Sequence, residues 1–403
     1  MEKDTHTHTH TQQDVSHRVS EIDKRAFVAY YNEHTIIPVS QNISEPDFIF
    51  KRGNLYKLLG LPLSSLRNRS ILELGPGGGF NATAITHYGP ESYVFVDATK
   101  ASLLELNRKK AAGLFGNVNV EIIEANIFDY ADSRLFDLVV IEGVVPGQTK
   151  PCEMLQHAGS FVSLNGSLIT TTTTATSLLS EVCRRLFRPF VINNRAYFDE
   201  QVELAEKIFD SHLKSLGTKT RPTRDWVLDS ILHKWEGNAR IIFSMVDSSR
   251  SLGPNFDFNS SSPKFLVDDR FYKKIDRSAQ TSNDLLIQQF SNLSLALLDY
   301  RISLLDILKS GTLTDVEEMC VELFEIQTNI VEDNSYRKLG AFLALLKKVD
   351  EALPEVSRPT SLAINEFIKK FPEVIERNKT TDFPNFSQWW GRGQQYASFT
   401  RIA

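Results

Sequence analysis

Cysteine is scarce: the 403 residues hold three, Cys152, Cys183 and Cys320, far apart and odd in number. That excludes a disulfide framework and a zinc knuckle, and leaves all three as small apolar residues expected in a core. Long apolar runs are missing too. None approaches the length of a membrane span and the first residues form no apolar signal region, so the expected location is the cytoplasm. Positive charge is not in excess: 45 Lys and Arg against 50 Asp and Glu give a net charge of -5. This argues against an extended nucleic-acid-binding face. What remains is a chain of ordinary apolar and charged content that is too long for one comfortable core. Two lobes are expected, one of them large enough for a full α/β sheet.

One stretch organises the rest. Ile71-Leu72-Glu73-Leu74 has the length and flanks of a buried strand, and it runs into glycines at 75, 77, 78 and 79 before a helix-compatible run resumes at Phe80. Glycines in such a turn let backbone N–H groups approach a ligand, and the helix that follows offers unpaired donors and a positive dipole end. A dinucleotide fingerprint, G-x-G-x-x-G, needs its third glycine at position 80, where Phe80 stands. The spacing present is E-x-G-x-G-x-G, with Glu73, Gly75, Gly77 and Gly79. A second buried-strand run, Tyr93 to Val96, ends in Asp97. A carboxylate at that strand tip, about 20 residues past the turn, suits two ribose hydroxyls. Taken singly, the turn also reads as a plain strand–helix loop and Asp97 as a cap or turn former.

Together these residues resemble the first motifs of class I S-adenosylmethionine-dependent methyltransferases, over roughly residues 65 to 260 plus the C-terminal tail. The resemblance implies an α/β, Rossmann-like sheet with helices on both faces, carrying here a C-terminal all-helical insertion, and S-adenosyl-L-methionine as cofactor. Carried over residue by residue, Glu73 lies under the methionine end, Gly75, Gly77 and Gly79 hold it, and Asp97 with Ala98 takes the ribose. Asn126 and Ile127 meet the adenine, Asn126 standing where the family often has Asp. Two features of related families are missing. No Asn/Asp-Pro-Pro-Tyr follows the fourth strand, as in the amino-methyltransferases of DNA and of protein glutamine, and Pro151-Cys152 comes too late for a cytosine-C5 enzyme. Three segments, Glu142-Gly143-Val144-Val145-Pro146-Gly147-Gln148, Arg221 to Asp229 and Trp390-Gly391-Arg392-Gly393-Gln394, resemble bacterial methyltransferases of surface-polysaccharide clusters.

The remaining chain divides as follows. Residues 1–20 read as a disordered tail in which His6, His8 and His10 make no functional metal site. Residues 21–64 read as an aromatic lid in which His34 and Lys51 are the polar candidates. The core, 65–275, carries a helical insertion at 190–237. Glu142, ending the fourth strand, is the candidate base or orienting group, with a cap or solvent role as the alternative. Arg221, Arg224 and Trp226 are candidates for an anionic or saccharide acceptor, or else form a packing knot. The threonines from Thr170 to Thr174 are expected to end a strand and line the crevice. Leu286, Phe290, Leu293, Leu297, Tyr300, Leu304 and Ile307 form a heptad-spaced seam in a helical bundle, 281–380, that closes on itself or pairs with a second copy of the chain. Residues 389–403 are expected to return as the final strand, with Trp389, Trp390, Arg392 and Gln394 near the mouth. The acceptor expected is a small molecule or saccharide. A nucleotide-binding oxidoreductase and a non-catalytic scaffold working through the bundle are the rival classes.

Overall fold

Seven apolar runs pair into one sheet in the computed structural model, which describes residues 28–37, 41–44, 47–217, 222–233, 241–266, 281–310, 314–333, 336–377 and 381–403. The tail at 1–20, its three histidines and Arg221 lie outside the described residues. The strands are β1 (Ser70–Leu74), β2 (Ser92–Asp97), β3 (Asn119–Glu124), β4 (Phe136–Ile141), β5 (Val162–Thr172), β6 (Phe256–Ser262) and β7 (Gln395–Arg401). Their order is β3-β2-β1-β4-β5-β7-β6. All neighbours run parallel except β7, which is antiparallel to both β5 and β6. β1 and β4 are buried almost throughout, as strands covered on both faces must be. With this order and one reversed strand, the chain has the Rossmann-like sheet of class I methyltransferases.

The strand order reverses between β1 and β4, so a crevice opens at their carboxyl ends. Around it stand α1 (Phe48–Leu58), α2 (Phe80–Thr86), α3 (Lys100–Ala111) and α4 (Pro151–Ser160), together with a short helix at 28–33. Lys109 on α3 ties down the glycine turn from below. Its ammonium donates to the Gly78 carbonyl (2.8 Å) and to Glu105 (2.6 Å), and lies 3.3 Å from the Phe80 ring centroid.

From the end of β5 the chain enters a helical half. Thr174 caps α5 (Ala175–Arg185) through a reciprocal pair of bonds with Ser177, and nearly all of this helix is buried. Around it pack α6 (Phe198–Lys214), α7 (Thr223–Trp226) with the wide turn Val227–Leu232, and α11 (Thr314–Asp333), α12 (Tyr336–Ala352) and α13 (Arg358–Arg377). A single apolar cluster joins them. The insertion and the C-terminal helices therefore share one core.

The heptad seam does not persist. Leu286, Phe290 and Leu293 lie on α9 (Ser282–Leu293) and, with Leu297, join the core under the sheet beside α8 (Met245–Leu252). The chain then breaks direction before α10 (Leu304–Ser310); Tyr300 is exposed, and Ile307 joins the helical core instead. Equal spacing concealed a change of core. Cys152 also departs from expectation, being exposed, whereas Cys183 and Cys320 are buried. Among the described residues no helix is long and apolar enough to cross a membrane.

Candidate functional site

The turn after β1 is shaped by what crowds it. Gly75 has φ +73°, and a Cβ there would fall 2.5 Å from a methyl of Val144 in the loop after β4. Gly79 caps α2 in the left-handed region, where a Cβ would fall 2.5 Å from Leu106. Any larger residue would need both an unfavourable backbone and a displaced neighbour. The Gly75 N–H donates to the Val96 carbonyl (2.8 Å), which keeps the turn against the end of β2.

Asp97 closes this arrangement. Its Oδ2 accepts from the Gly77 N–H (3.1 Å), and its Oδ1 accepts from the Thr99 N–H (2.8 Å) and hydroxyl (2.7 Å). Burial raises the Asp97 pKa, opposed by these donors. Asn126 Oδ1 accepts from the Phe128 N–H (3.0 Å) and so fixes the turn after β3. Glu73, Gly75, Gly77, Asp97, Ala98, Asn126, Ile127 and Glu142 all line one cleft of about 150 Å³. Gly79 does not line it and serves instead to start α2.

The charged floor of the cleft depends on a residue that sequence reasoning passed over. Arg52 Nη2 on α1 donates to both carboxylate oxygens of Glu142 (2.7 and 2.8 Å) and to the Tyr56 hydroxyl (3.0 Å). Asn81 Nδ2 donates to the same carboxylate (3.1 Å), while its buried Oδ1 has no hydrogen-bond partner. Glu73 accepts from the Tyr93 hydroxyl (2.6 Å). Its pKa is pushed up to about 8, first by burial and then by the neighbouring Glu142 charge, against the lowering effects of Tyr93 and Arg52. Lys51, the cation picked from the lid, pairs instead with Asp47 at the surface (2.8 Å). The signal was present: Phe48, Arg52 and Tyr56 recur every four residues, so Arg52 belongs to the buried face of a helix.

The short helix at 28–33 adds Val28 and Tyr31 to the cleft lining. The Tyr31 hydroxyl donates to Asp229 (2.8 Å), the Tyr30 hydroxyl donates to the Leu228 carbonyl (2.9 Å), and the His34 ring stacks on Phe198 at 4.1 Å. These contacts bind the segment to the helical half. His34 therefore packs and does not line the cleft.

The insertion candidates are not brought to the cleft. Arg224 is half exposed and faces Asp199 (3.7 Å) and Glu206 (3.5 Å) on α6. Trp226 is buried, edge-on to Phe209 (5.6 Å) and Trp390 (5.4 Å). An indole surrounded in this way is core, which corrects its reading as a substrate wall. The threonine run is buried as well. Thr171 accepts from the Gly143 N–H (2.7 Å) and so holds the loop carrying Glu142, without lining the cleft itself. Trp389 is likewise enclosed, donating to the Leu298 carbonyl.

No family model matches the chain. The release factor glutamine methyltransferase of Flavobacterium psychrophilum is 27% identical over 193 residues, covering 44% of this chain and 62% of that protein. The chain thus spans less than two thirds of that relative's length. Among solved structures, PKMT2 from Rickettsia typhi aligns with a TM-score of 0.40 and 17% identity, over 62% of this chain and 51% of that one. Magnesium protoporphyrin IX methyltransferase from Synechocystis PCC 6803, with bound SAM, aligns with a TM-score of 0.30 and 15% identity, over 38% of this chain and 76% of that one.

Proposed function

We propose that the cleft binds S-adenosylmethionine and that the protein is a methyltransferase acting on an oxygen or nitrogen of a small-molecule or saccharide acceptor. The observation that carries this reading is the meeting, at the sheet's switch point, of a glycine-rich turn, the buried carboxylate of Asp97 and a cluster of acceptors around Glu73. The unpartnered Asn81 Oδ1 in the same lining fits an ammonium donor such as the cofactor's methionine end carries. In this reading Gly75 and Gly77 bring backbone close to that end, Asp97 takes the ribose, and Asn126 and Ile127 border the adenine. The cofactor supplies an activated methyl on a sulfonium. The protein's share is alignment.

Glu142 has both oxygens engaged by Arg52 and one by Asn81, which suits an orienting group better than a proton acceptor. The curated relative's name gives a glutamine of a release factor as its acceptor. Here Glu142-Gly143-Val144-Val145 follows β4 in place of Asn/Asp-Pro-Pro-Tyr, and this favours a different acceptor.

Calorimetric titration tests the cofactor. S-adenosylhomocysteine should bind and NAD should not. Asp97→Ala should weaken the former about 10- to 100-fold, the scale of losing charge-assisted hydrogen bonds. Preference for NAD, or an Asp97→Ala variant of unchanged affinity, would overturn the reading.

A further inference from the structure

A second cavity, of about 440 Å³, adjoins the cleft where β5 and β6 end and β7 begins. Its size falls in the range of small-molecule sites. The two hollows meet at a shared border. Gln394 lines the cavity, and its amide lies 3.9 Å from where a side chain on Gly143 of the cleft would begin. Tyr396, also lining the cavity, has the Arg52 guanidinium 5.9 Å from its ring centre, and Arg52 in turn holds Glu142 of the cleft.

The lining has a definite chemistry. Tyr300, Trp390 and Tyr396 supply rings, Ser262 and Gln394 supply neutral hydrogen-bonding groups, and among the described residues no carboxylate or lysine faces it. Arg392 also lines the cavity, its Nε and Nη2 donating to the carbonyls of Ala296 (2.9 Å) and Ile302 (2.7 Å). A cation seeking the ring faces would meet like charge, because Arg184 sits 3.7 Å from the Trp390 ring centre and Arg52 lies beside Tyr396. A flat ring gains from aromatic contact, and a hydroxyl can both donate to and accept from Gln394.

We infer that this cavity seats the methyl acceptor, and that the acceptor is a compound bearing a ring and a hydroxyl and no ammonium group, its ring against Tyr300 and Trp390 and its hydroxyl toward the Gln394–Gly143 border. The inference rests on the cofactor reading of the adjoining cleft. In the transfer the hydroxyl oxygen bonds to the methyl carbon as the sulfur–methyl bond breaks with its electron pair going to sulfur, and the hydroxyl proton leaves to water.

The test uses the full chain saturated with S-adenosylhomocysteine and saturation-transfer NMR with four probes: phenol, methyl α-D-glucoside, butylamine and butyrate. Phenol or the glucoside should bind in preference to the two ions, and which of them binds separates an aromatic acceptor from a sugar. Tyr300→Ala, at an exposed ring, and Gln394→Ala should each weaken that binding at least about fivefold while leaving S-adenosylhomocysteine affinity unchanged. Stronger binding of either ion, no binding of either ring probe, or ring-probe binding indifferent to both substitutions would overturn the inference. Failure of S-adenosylhomocysteine itself to bind would instead strike the cofactor reading.

Discussion

The cleft and the helical half both bury arginine, but they give it different company. In the cleft, Arg52 meets the Glu142 carboxylate while Glu73 and Asp97 stand in the same lining. In the helical half, Arg184 donates to the carbonyls of Ser180, Phe386, Ser387 and Trp389 and through Nε to His212 Nδ1, and Arg185 donates to the carbonyls of Ser230 and His233. Carbonyls do not titrate, and burial, together with the Arg184 charge, holds the His212 imidazole pKa well below its usual range, so it stays neutral. The helical arginines are thus fixed fasteners at every ordinary pH, holding segments distant in sequence against α5. The cleft pairs its charge with groups whose protonation can change, so its balance responds to what enters it.

The sharpest way to break this contrast is to remove a fastener. Arg184→Met keeps the bulk and deletes the charge, taking from the Trp389 carbonyl its donor and from the Trp390 face its guanidinium, while the Phe386 and Ser387 carbonyls keep the Trp389 N–H and the Ser215 hydroxyl. The loss should be about 1–3 kcal/mol of unfolding free energy, the scale for leaving a buried acceptor unsatisfied. Urea unfolding at neutral pH measures it. A loss below about 1 kcal/mol would mean that the Trp389 carbonyl finds another donor, and that Arg184 is no fastener.

The second test concerns the responsive half. Glu73 keeps its proton in the folded protein up to about pH 8, whereas the unfolded chain releases it near the ordinary value of 4.5. Between those values folding retains a proton that the unfolded chain has lost. The stabilising contribution is therefore complete at low pH and is lost as pH rises through about 8. The slope is at most about 1.4 kcal/mol per pH unit. Glu73→Gln, which still offers Tyr93 an acceptor, should flatten that decline when melting is followed from pH 5 to 9. Parallel curves for the two proteins would show that Glu73 is ionised in the folded state.

The contrast also explains which parts were legible in the sequence. The glycine turn and Asp97 are local: the crowding that demands Gly75 comes from a loop, but its spacing pattern is read within one strand and one turn. Seven strands followed from apolar runs with clear punctuation, and Gln395–Arg401 joins β5 and β6 as the run after Gly393 suggested. What stayed hidden depends on partners distant in the chain. Arg52 was overlooked for its neighbour Lys51, although on a helix adjacent residues face different sides and only Arg52 shares a face with Phe48 and Tyr56. Trp226 has the same identity whether it walls a pocket or fills a core, and its packing on Trp390 decides. The even spacing from Leu286 to Ile307 carried no sign that the chain would leave one core for another at residues 295–298.

Arg224 gives the gentlest test, and it bears on where an acceptor is held. Its guanidinium is half exposed and reaches Asp199 and Glu206 only at 3.7 and 3.5 Å, so solvent and salt screen both pairs. Replacement by alanine should change stability by about 0.5 kcal/mol or less, as surface ion pairs do. With the cavity beside Tyr300 and Gln394 as the acceptor pocket, Arg224→Ala should leave ring-probe binding intact, in contrast to substitutions at those two positions. A large loss of probe binding with stability unchanged would return the acceptor to the insertion.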